Sequence, residues 1–298
     1  MPTNLGFLVD KSVYIIREAN AQFNNPCVLW STGKDSTAML SLIRETFLGK
    51  IPWDVVHIDT GWKFPEMYEF RDELAEKWGF TLKIAKSGSA GKINPLEGNV
   101  KLHHQECCQK LKTDMLRKII ETNRYDAVVV SIRRDEHYMR NIERVASPRD
   151  KKFRWRLLRE KESTESGDAP FESLQDTQLW DLIESDFGED THHVRIHPFL
   201  TNPPWTERDV WLHIATNNIP CNPLYRADYV AEKYPQWKGK RFRSLGCQTC
   251  TLPVQSNAST IDEILLELET TETSERSGRA QDKEREQIMR KLRAMGYP

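Results

Sequence analysis

Cys27-Val28-Leu29-Trp30-Ser31-Thr32-Gly33-Lys34-Asp35-Ser36-Thr37-Ala38-Met39-Leu40-Ser41-Leu42-Ile43 is the stretch on which the fold turns. The apolar run 27–30 predicts a buried strand, 31–36 a tight polar loop, and 37–43 a helix. A loop between a strand and a helix is where an anion can sit. The first turn of the helix has unpaired N–H groups, and its dipole is positive at that end. Gly33 allows close backbone approach, Lys34 adds a cation, and Ser31 and Ser36 add hydroxyls. The plainer reading is a polar turn with a serine cap. A Walker A loop is excluded, because it needs an earlier glycine four residues before Gly-Lys-Ser/Thr and none is present.

Working outward, the same alternation repeats. Asp54-Val55-Val56-His57-Ile58 reads as a buried strand ending at Asp59-Thr60-Gly61-Trp62-Lys63-Phe64, and Pro65 opens a helix to about Trp78. Thr81-Leu82-Lys83-Ile84-Ala85 is a third strand, about 108–121 a helix, and Ala127-Val128-Val129-Val130-Ser131 a further strand. Upstream, 12–23 has helical periodicity. Downstream, Val194-Arg195-Ile196-His197 is a strand, and a helix starts near Trp205 with Thr206 as its cap. The expected fold is α/β: a parallel twisted sheet with helices on both faces, and a C-terminal helical and irregular appendage. Residues 1–220 form the nucleotide-binding domain in this reading, and 221–298 the second segment, ending in helices at 259–268 and 280–295. Ligands of such sheets bind at the carboxyl ends of the strands. The 31–36 loop, Asp59-Thr60 and Arg133-Arg134-Asp135-Glu136 all follow strands, so they converge on one cleft.

The chain has 298 residues, 38% hydrophobic and 29% charged, enough for a real core. A net charge of −1 gives no global preference for nucleic acid or membrane. No leader or spanning segment is visible, so a soluble cytoplasmic protein is expected. The six cysteines are too few for a disulfide scaffold and point to metal or catalysis. Residues 133–159 carry ten Lys/Arg against four Asp/Glu, and 160–190 carry eleven acids against Lys161. These blocks read as a charged insertion at about 140–192, either a lid over the site or a solvated loop.

The 31–36 loop resembles the PP-loop, Ser-Gly-Gly-Lys-Asp-Ser, of the ATP pyrophosphatases, with Thr32 in place of the middle glycine. Further stretches carry the resemblance along the chain. They are His57-Ile58-Asp59-Thr60-Gly61-Trp62-Lys63-Phe64, Glu66-Met67-Tyr68-Glu69-Phe70-Arg71-Asp72, Arg133-Arg134-Asp135-Glu136, Arg241-Phe242-Arg243-Ser244-Leu245-Gly246-Cys247 and Thr273-Ser274-Glu275-Arg276-Ser277-Gly278-Arg279. Together they are similar to the PAPS reductase family, and within it to the small subunits of sulfate adenylyltransferase. The resemblance implies an enzyme that splits ATP between its α and β phosphates and adenylates an acceptor. Ser31, Thr32, Gly33, Lys34, Asp35 and Ser36 would hold ATP with Mg²⁺, and Asp59 and Thr60 would border the nucleotide. Lys34, Asp35, Arg133 and Arg134 would act in catalysis, the two arginines by binding an anion. Asp135 and Glu136 are alternatively an ion pair orienting those arginines, and Asp59 a helix cap.

Cys107-Cys108 and Cys247-Gln248-Thr249-Cys250 depart from the adenylyltransferase subunits. Two close pairs of thiolates suit a tetrahedral sulfur site, iron–sulfur or zinc. Adjacent cysteines fit zinc spacing poorly. They resemble the [4Fe–4S] ligands of APS reductases, where a basic helix follows, as Lys110 and Lys112 do here. Those reductases also use a C-terminal Glu-Cys-Gly, and no cysteine follows Cys250. The resulting expectation is an ATP pyrophosphatase with a [4Fe–4S] cluster on Cys107, Cys108, Cys247 and Cys250. It would activate a phosphate for sulfur insertion in DNA phosphorothioation, with a cysteine desulfurase and DNA as partners. Lys238, Lys240, Arg241 and Arg243 would then add a basic surface. The alternative is a sulfate adenylyltransferase small subunit with a GTPase large subunit. A third reading is a non-catalytic cluster-binding adaptor. Homo-oligomerisation stays open.

Overall fold

The computed structural model describes residues 5–94, 96, 103–136, 140, 143–154, 191–271 and 275. The first strand, β1 (Pro26–Leu29), sits near the middle of a six-stranded sheet and leads directly into helix α2 (Lys34–Thr46). β2 (Asp54–Asp59) and β3 (Leu82–Lys86) lie on one side of β1, in parallel. β4 (Ala127–Val129), β5 (Ala146–Asp150) and β6 (Thr191–Ile196) lie on the other, giving the order β3-β2-β1-β4-β6-β5. The sheet is parallel except for β5, which runs antiparallel to β6 with Ala146 opposite Ile196. β5 was hidden in the sequence. Ser147-Pro148-Arg149-Asp150 has no apolar alternation, and it falls inside the stretch expected to be a charged insertion. Its Arg149 is nevertheless fully buried. The acidic stretch 155–190 lies outside the described residues, as does the expected helix at 280–295.

Helix α1 (Leu5–Gln22) begins earlier than the expected residue 12, because Leu8 extends the buried stripe of Ser12, Ile15, Ile16 and Ala19 by one turn. It packs on α2 and on α6 (Glu207–Thr216). Trp205 anchors this corner: its indole N–H donates to Ser12 Oγ at 3.0 Å, and Ser12 donates to the Pro198 carbonyl at 2.8 Å. Helix α3 (Pro65–Trp78) starts on its proline and stops at Gly79, whose φ of +66° is the left-handed cap. The helix expected at about 108–121 is three pieces: α4 (His104–Cys108), a π turn (Gln109–Thr113) and α5 (Asp114–Asn123). A π turn directly after the cysteine pair fits the tendency of such bulges to sit at functional sites.

Beyond α6 come a 3₁₀ turn (Pro223–Tyr225), α7 (Ala227–Lys233), a β7/β8 ribbon (Lys240–Arg241 and Val254–Gln255) and α8 (Ile261–Thr270). Thr260 and Glu263 form a capping box at the start of α8. Leu224, Tyr225, Phe242, Leu245 and Ile264 join the same core cluster as the sheet residues Val28, Val55 and Val129. The described part of the C-terminal segment, 221–271, is therefore packed into the main core. Among the described residues no helix is long and apolar enough to cross a membrane.

Candidate functional site

The site is built where β1 gives way to α2. Thr32 has φ of +64°, a left-handed conformation that a β-branched residue seldom takes, which is why a glycine suits this position. Gly33 is extended, and it is constrained by space: a Cβ there would lie 3.3 Å from Ser31 Oγ and 3.4 Å from Tyr225 Oη. Ser36 Oγ accepts the Ser31 N–H at 3.2 Å and donates to the Gly33 carbonyl at 3.1 Å, closing the turn. The Lys34 N–H, first in the helix, donates to Tyr225 Oη at 2.8 Å. Burial pushes the Tyr225 hydroxyl up to about 12, with Lys34 acting against it, so it stays protonated.

A cleft of about 190 Å³ opens above this loop. Ser31, Gly33, Asp35 and Ser36 line it from the loop, Val130, Ser131 and Ile132 from the end of β4, and Lys63, Lys112, Gly246 and Glu275 from elsewhere. The loop, residues 130–132 and Lys63 follow the carboxyl ends of β1, β4 and β2, as the topology requires. Asp59 and Thr60 stand behind the lining. Asp59 accepts from Gly61 N–H at 2.7 Å, Tyr68 Oη at 2.7 Å and Lys86 Nζ at 2.9 Å. Burial raises its pKa, but Lys86, the Gly61 N–H and Tyr68 outweigh that and hold it below the ordinary value. Gly61, with φ of +72°, allows the 87–94 segment to pack over this turn, since a Cβ would strike the backbone of Gly91.

Charge is concentrated beneath the cleft. Lys34 is buried, with Nζ 2.5 Å from Glu275 Oε1, 3.2 Å from Asp35 Oδ2, 3.7 Å from Glu207 Oε1 and 3.3 Å from the Arg243 carbonyl. Arg133 is wholly buried. It pairs with Asp35, reaches Asp135 Oδ1 at 2.9 Å through Nε, and Glu275 Oε2 at 2.5 Å through Nη2. Burial alone would lower its pKa, but Glu275, Asp135 and neighbouring acids raise it further, so its charge is permanent. Asp135 also caps α6 by accepting the Glu207 N–H at 2.7 Å, and Glu136 accepts from Arg133 N–H at 3.0 Å and Arg140 Nη1 at 2.8 Å. Arg134 is half-buried, does not join the pairings of Arg133 with Asp35 and Glu275, and has its pKa pushed down by burial with Glu143 opposing. Arg133 and Arg134 thus do not form one fork.

Replacing Arg133 with Leu is expected to destabilise the protein by about 3–5 kcal/mol, because it strips the partner from buried acids. Urea unfolding measures this, and a loss under about 1 kcal/mol would show the network to be incidental.

The four paired cysteines are buried, and Cys108, Cys247 and Cys250 all lie near enough to act on the charge of Cys107. Burial first, then Cys108 and Cys247, push the Cys107 thiol up to about 12, while Lys112 acts against them. Cys250 is raised by burial, with Cys247 and Cys108 adding and Thr249 opposing. Cys247 Sγ lies 3.3 Å from Thr60 Oγ1, and Cys250 Sγ 3.8 Å from His104 Nδ1. Among the described residues no group of three or more His, Cys, Asp or Glu is set to hold a single metal ion. Four thiol sulfurs are nevertheless the donor chemistry of an iron–sulfur cluster. Cys27 and Cys221 lie apart: burial raises Cys27 well above its ordinary value, and pushes Cys221 to about 12 with Lys34 opposing.

Of the basic surface expected around Lys238 to Arg243, only Lys238 and Lys240 stay at the surface. Arg241 is fully buried against Glu267 at 2.8 Å and Ser256 at 3.1 Å, and Arg243 pairs with Glu207 at 2.7 Å. Tyr225, Glu207 and Glu275 were missed as site residues by sequence reading. Glu275 lay in a quoted motif without a role, and Tyr225 and Glu207 gave no signal. Lys63 had one, since it follows β2 at the same end of the sheet as the loop.

Comparison with known proteins agrees with this layout. A model of the phosphoadenosine phosphosulfate reductase domain matches residues 25–253. The sulfate adenylyltransferase subunit 2 of Psychromonas ingrahamii is 36% identical over 320 residues, covering 99% of this chain and 98% of its own. That of Zymomonas mobilis is 35% identical over 319 residues with the same coverage. In fold the chain is similar to Candida glabrata FMN adenylyltransferase in complex with FAD and inorganic pyrophosphate. There the TM-score is 0.52 and identity 16%, over 92% of this chain and 87% of that one. The Candida auris PAPS reductase gives a TM-score of 0.50 and 15% identity, over 85% and 98%. With a matching model over most of its length and relatives aligned from end to end, the chain belongs to the phosphoadenosine phosphosulfate reductase family.

Proposed function

We propose that the chain transfers the adenylyl group of ATP to sulfate and releases pyrophosphate, acting as the small subunit beside a separate large subunit. An adenylyl-transferring enzyme of the PP-loop type follows from the family and from the names of its relatives. Sulfate as acceptor is supported by the end-to-end likeness to sulfate adenylyltransferase subunits, which is the observation that carries this reading. The large subunit as partner is inferred from the same names.

The loop residues Ser31, Thr32, Gly33, Lys34, Asp35 and Ser36 would hold the β and γ phosphates, with Mg²⁺ arriving as the counter-ion of ATP. Lys34 and Arg133 would offset the charge that builds on departing pyrophosphate. Lys63 and Lys112, across the cleft, suit an anionic acceptor. No histidine lines the cleft among the described residues. Sulfate is already an anion and needs no general base.

The cysteines favour a second reading, sulfur insertion into a phosphate activated by ATP. Cys107, Cys108, Cys247 and Cys250 would hold a [4Fe–4S] cluster, which would supply sulfur or redox chemistry next to Thr60. One experiment separates the two. Anaerobically purified protein is incubated with ATP and sulfate, with the large subunit added, and adenylyl sulfate is measured. Its formation in step with pyrophosphate supports sulfate activation. Its absence, together with about four iron and four sulfide per chain and sulfur transfer to DNA in the presence of a cysteine desulfurase, supports the second reading.

A further inference from the structure

One carboxylate in the cleft has no part in the reaction above. Glu275 is 5% exposed, and each of its oxygens takes one cation: Lys34 at 2.5 Å and Arg133 at 2.5 Å. Tyr225 Oη meanwhile accepts the Lys34 N–H at 2.8 Å. That is the backbone donor a helix start offers to an anion. Oxygens of the chain itself therefore fill the places that phosphate oxygens would take. Glu275 also lines the cleft, as an acid serving only the core would not. Around the buried Lys34, Arg133 and Arg243 stand Asp35, Asp135, Glu207 and Glu275, so these cations are already matched by acids of the chain, while Lys63, Lys112 and Arg140 line the cleft beyond them. Adding the β and γ phosphates would place several more negative charges in the same buried space. Like charges packed this closely are strongly disfavoured. The other three acids are tied to the scaffold: Asp35 sits on α2, Asp135 caps α6, and Glu207 is on α6 and pairs with Arg243.

We propose that Glu275 is a resident anion that exchanges with the phosphates of ATP, and with pyrophosphate, at Lys34 and Arg133. The proposal rests on the reading that the loop holds the ATP phosphates. When pyrophosphate leaves, Glu275 returns, and the two buried cations are never left uncompensated. Without that exchange, release of a highly charged product would leave Lys34 with only Asp35 and Glu207, and Arg133 with only Asp35 and Asp135, to offset the cost of burying them. Glu275 thus weakens the hold on product as well as substrate, and speeds turnover where release is slow.

The test is binding of inorganic pyrophosphate to the full chain by titration calorimetry at constant pH and Mg²⁺. Glu275→Gln, close to isosteric, is expected to bind pyrophosphate on the order of ten-fold more tightly than the parent, since a charge-assisted competitor is removed. Unchanged or weaker binding would overturn the proposal, because a purely structural carboxylate should leave the site looser when lost. A second measurement guards against a folding defect. Glu275→Gln should melt lower than the parent when unliganded yet gain more from saturating pyrophosphate. A gain no larger than the parent's also overturns it. Lys34→Ala tests the underlying reading by itself: wild-type affinity for pyrophosphate in that variant would mean the loop is not the phosphate site, and the role of Glu275 falls with it.

Discussion

Lys34→Ala is expected to lower ATP-dependent pyrophosphate release on the order of 10²–10³-fold or more. Lys34 is the single buried ammonium at the start of α2, and its Nζ is held in place by Glu275 and by the Arg243 carbonyl. A side chain fixed from several directions stabilises developing charge at little reorganisation cost. Alanine removes the cation and leaves Glu275, Asp35 and Glu207 facing Arg133 and Arg243 alone. Some loss of stability will accompany the loss of rate, so the assay belongs with a check of folding by circular dichroism. Pyrophosphate is followed with a coupled pyrophosphatase. A folded Lys34→Ala protein within five-fold of the parent rate would remove the loop from the reaction. Lys34→Arg keeps charge but not shape. The Lys34 ammonium is closed in by Asp35, Glu207, Glu275 and the Arg243 carbonyl, which a planar guanidinium cannot match, so arginine is expected to recover only part of the activity.

The fold was legible because its deciding signals are local. Apolar runs at 27–30, 54–58 and 127–131 are buried parallel strands, and such strands read as continuous hydrophobic stretches. Pro65 and Gly79 mark α3 at both ends by backbone chemistry alone. β5 was not legible because its residues are polar and prolyl, and only pairing with β6 makes a strand of them. The loop was legible in place and composition. What the sequence could not give is who meets whom across large separations. Tyr225 touches Lys34 from 191 positions away, and Glu275 from 241. Arg133 and Arg134 show the same limit at short range: adjacent in sequence, they have different surroundings, Arg133 among Asp35, Asp135 and Glu275, and Arg134 under the influence of Glu143. Arg241 and Arg243 read as a basic surface because sequence shows charge but not the Glu267 and Glu207 that neutralise it.

Acid should unfold this protein well before its carboxylates titrate. Burial pushes the imidazole of His57 down to about 3, with Lys63 adding to the effect and the Trp30 carbonyl opposing it. Burial likewise holds His197 and His213 at about 4, and His193 well below its ordinary value. Their polar contacts suit neutral rings: His57 Nδ1 meets the Trp30 carbonyl at 3.0 Å, and His197 Nδ1 the Arg144 carbonyl at 2.7 Å. In the unfolded chain each ring takes up a proton near its ordinary pKa of about 6.5. In the folded chain His57 stays neutral down to about 3 and His197 and His213 down to about 4, and His193 resists protonation until well below its ordinary value. Between those values the unfolded state binds more protons, so stability is fully present above about pH 6.5 and falls as pH drops. Each ring contributes up to about 1.4 kcal/mol per pH unit. Four together can remove most of a typical folding free energy of about 5–15 kcal/mol within two pH units. Carboxylates held low, such as Asp59 and Glu275, act in the same direction, but only once pH nears their own unfolded values of about 4. The interval from pH 6.5 to 5 therefore belongs to the histidines. Urea midpoints measured across it should fall steeply and continuously. A midpoint that holds constant from pH 7.5 to 5 would mean that these rings are free to take up protons within the folded core.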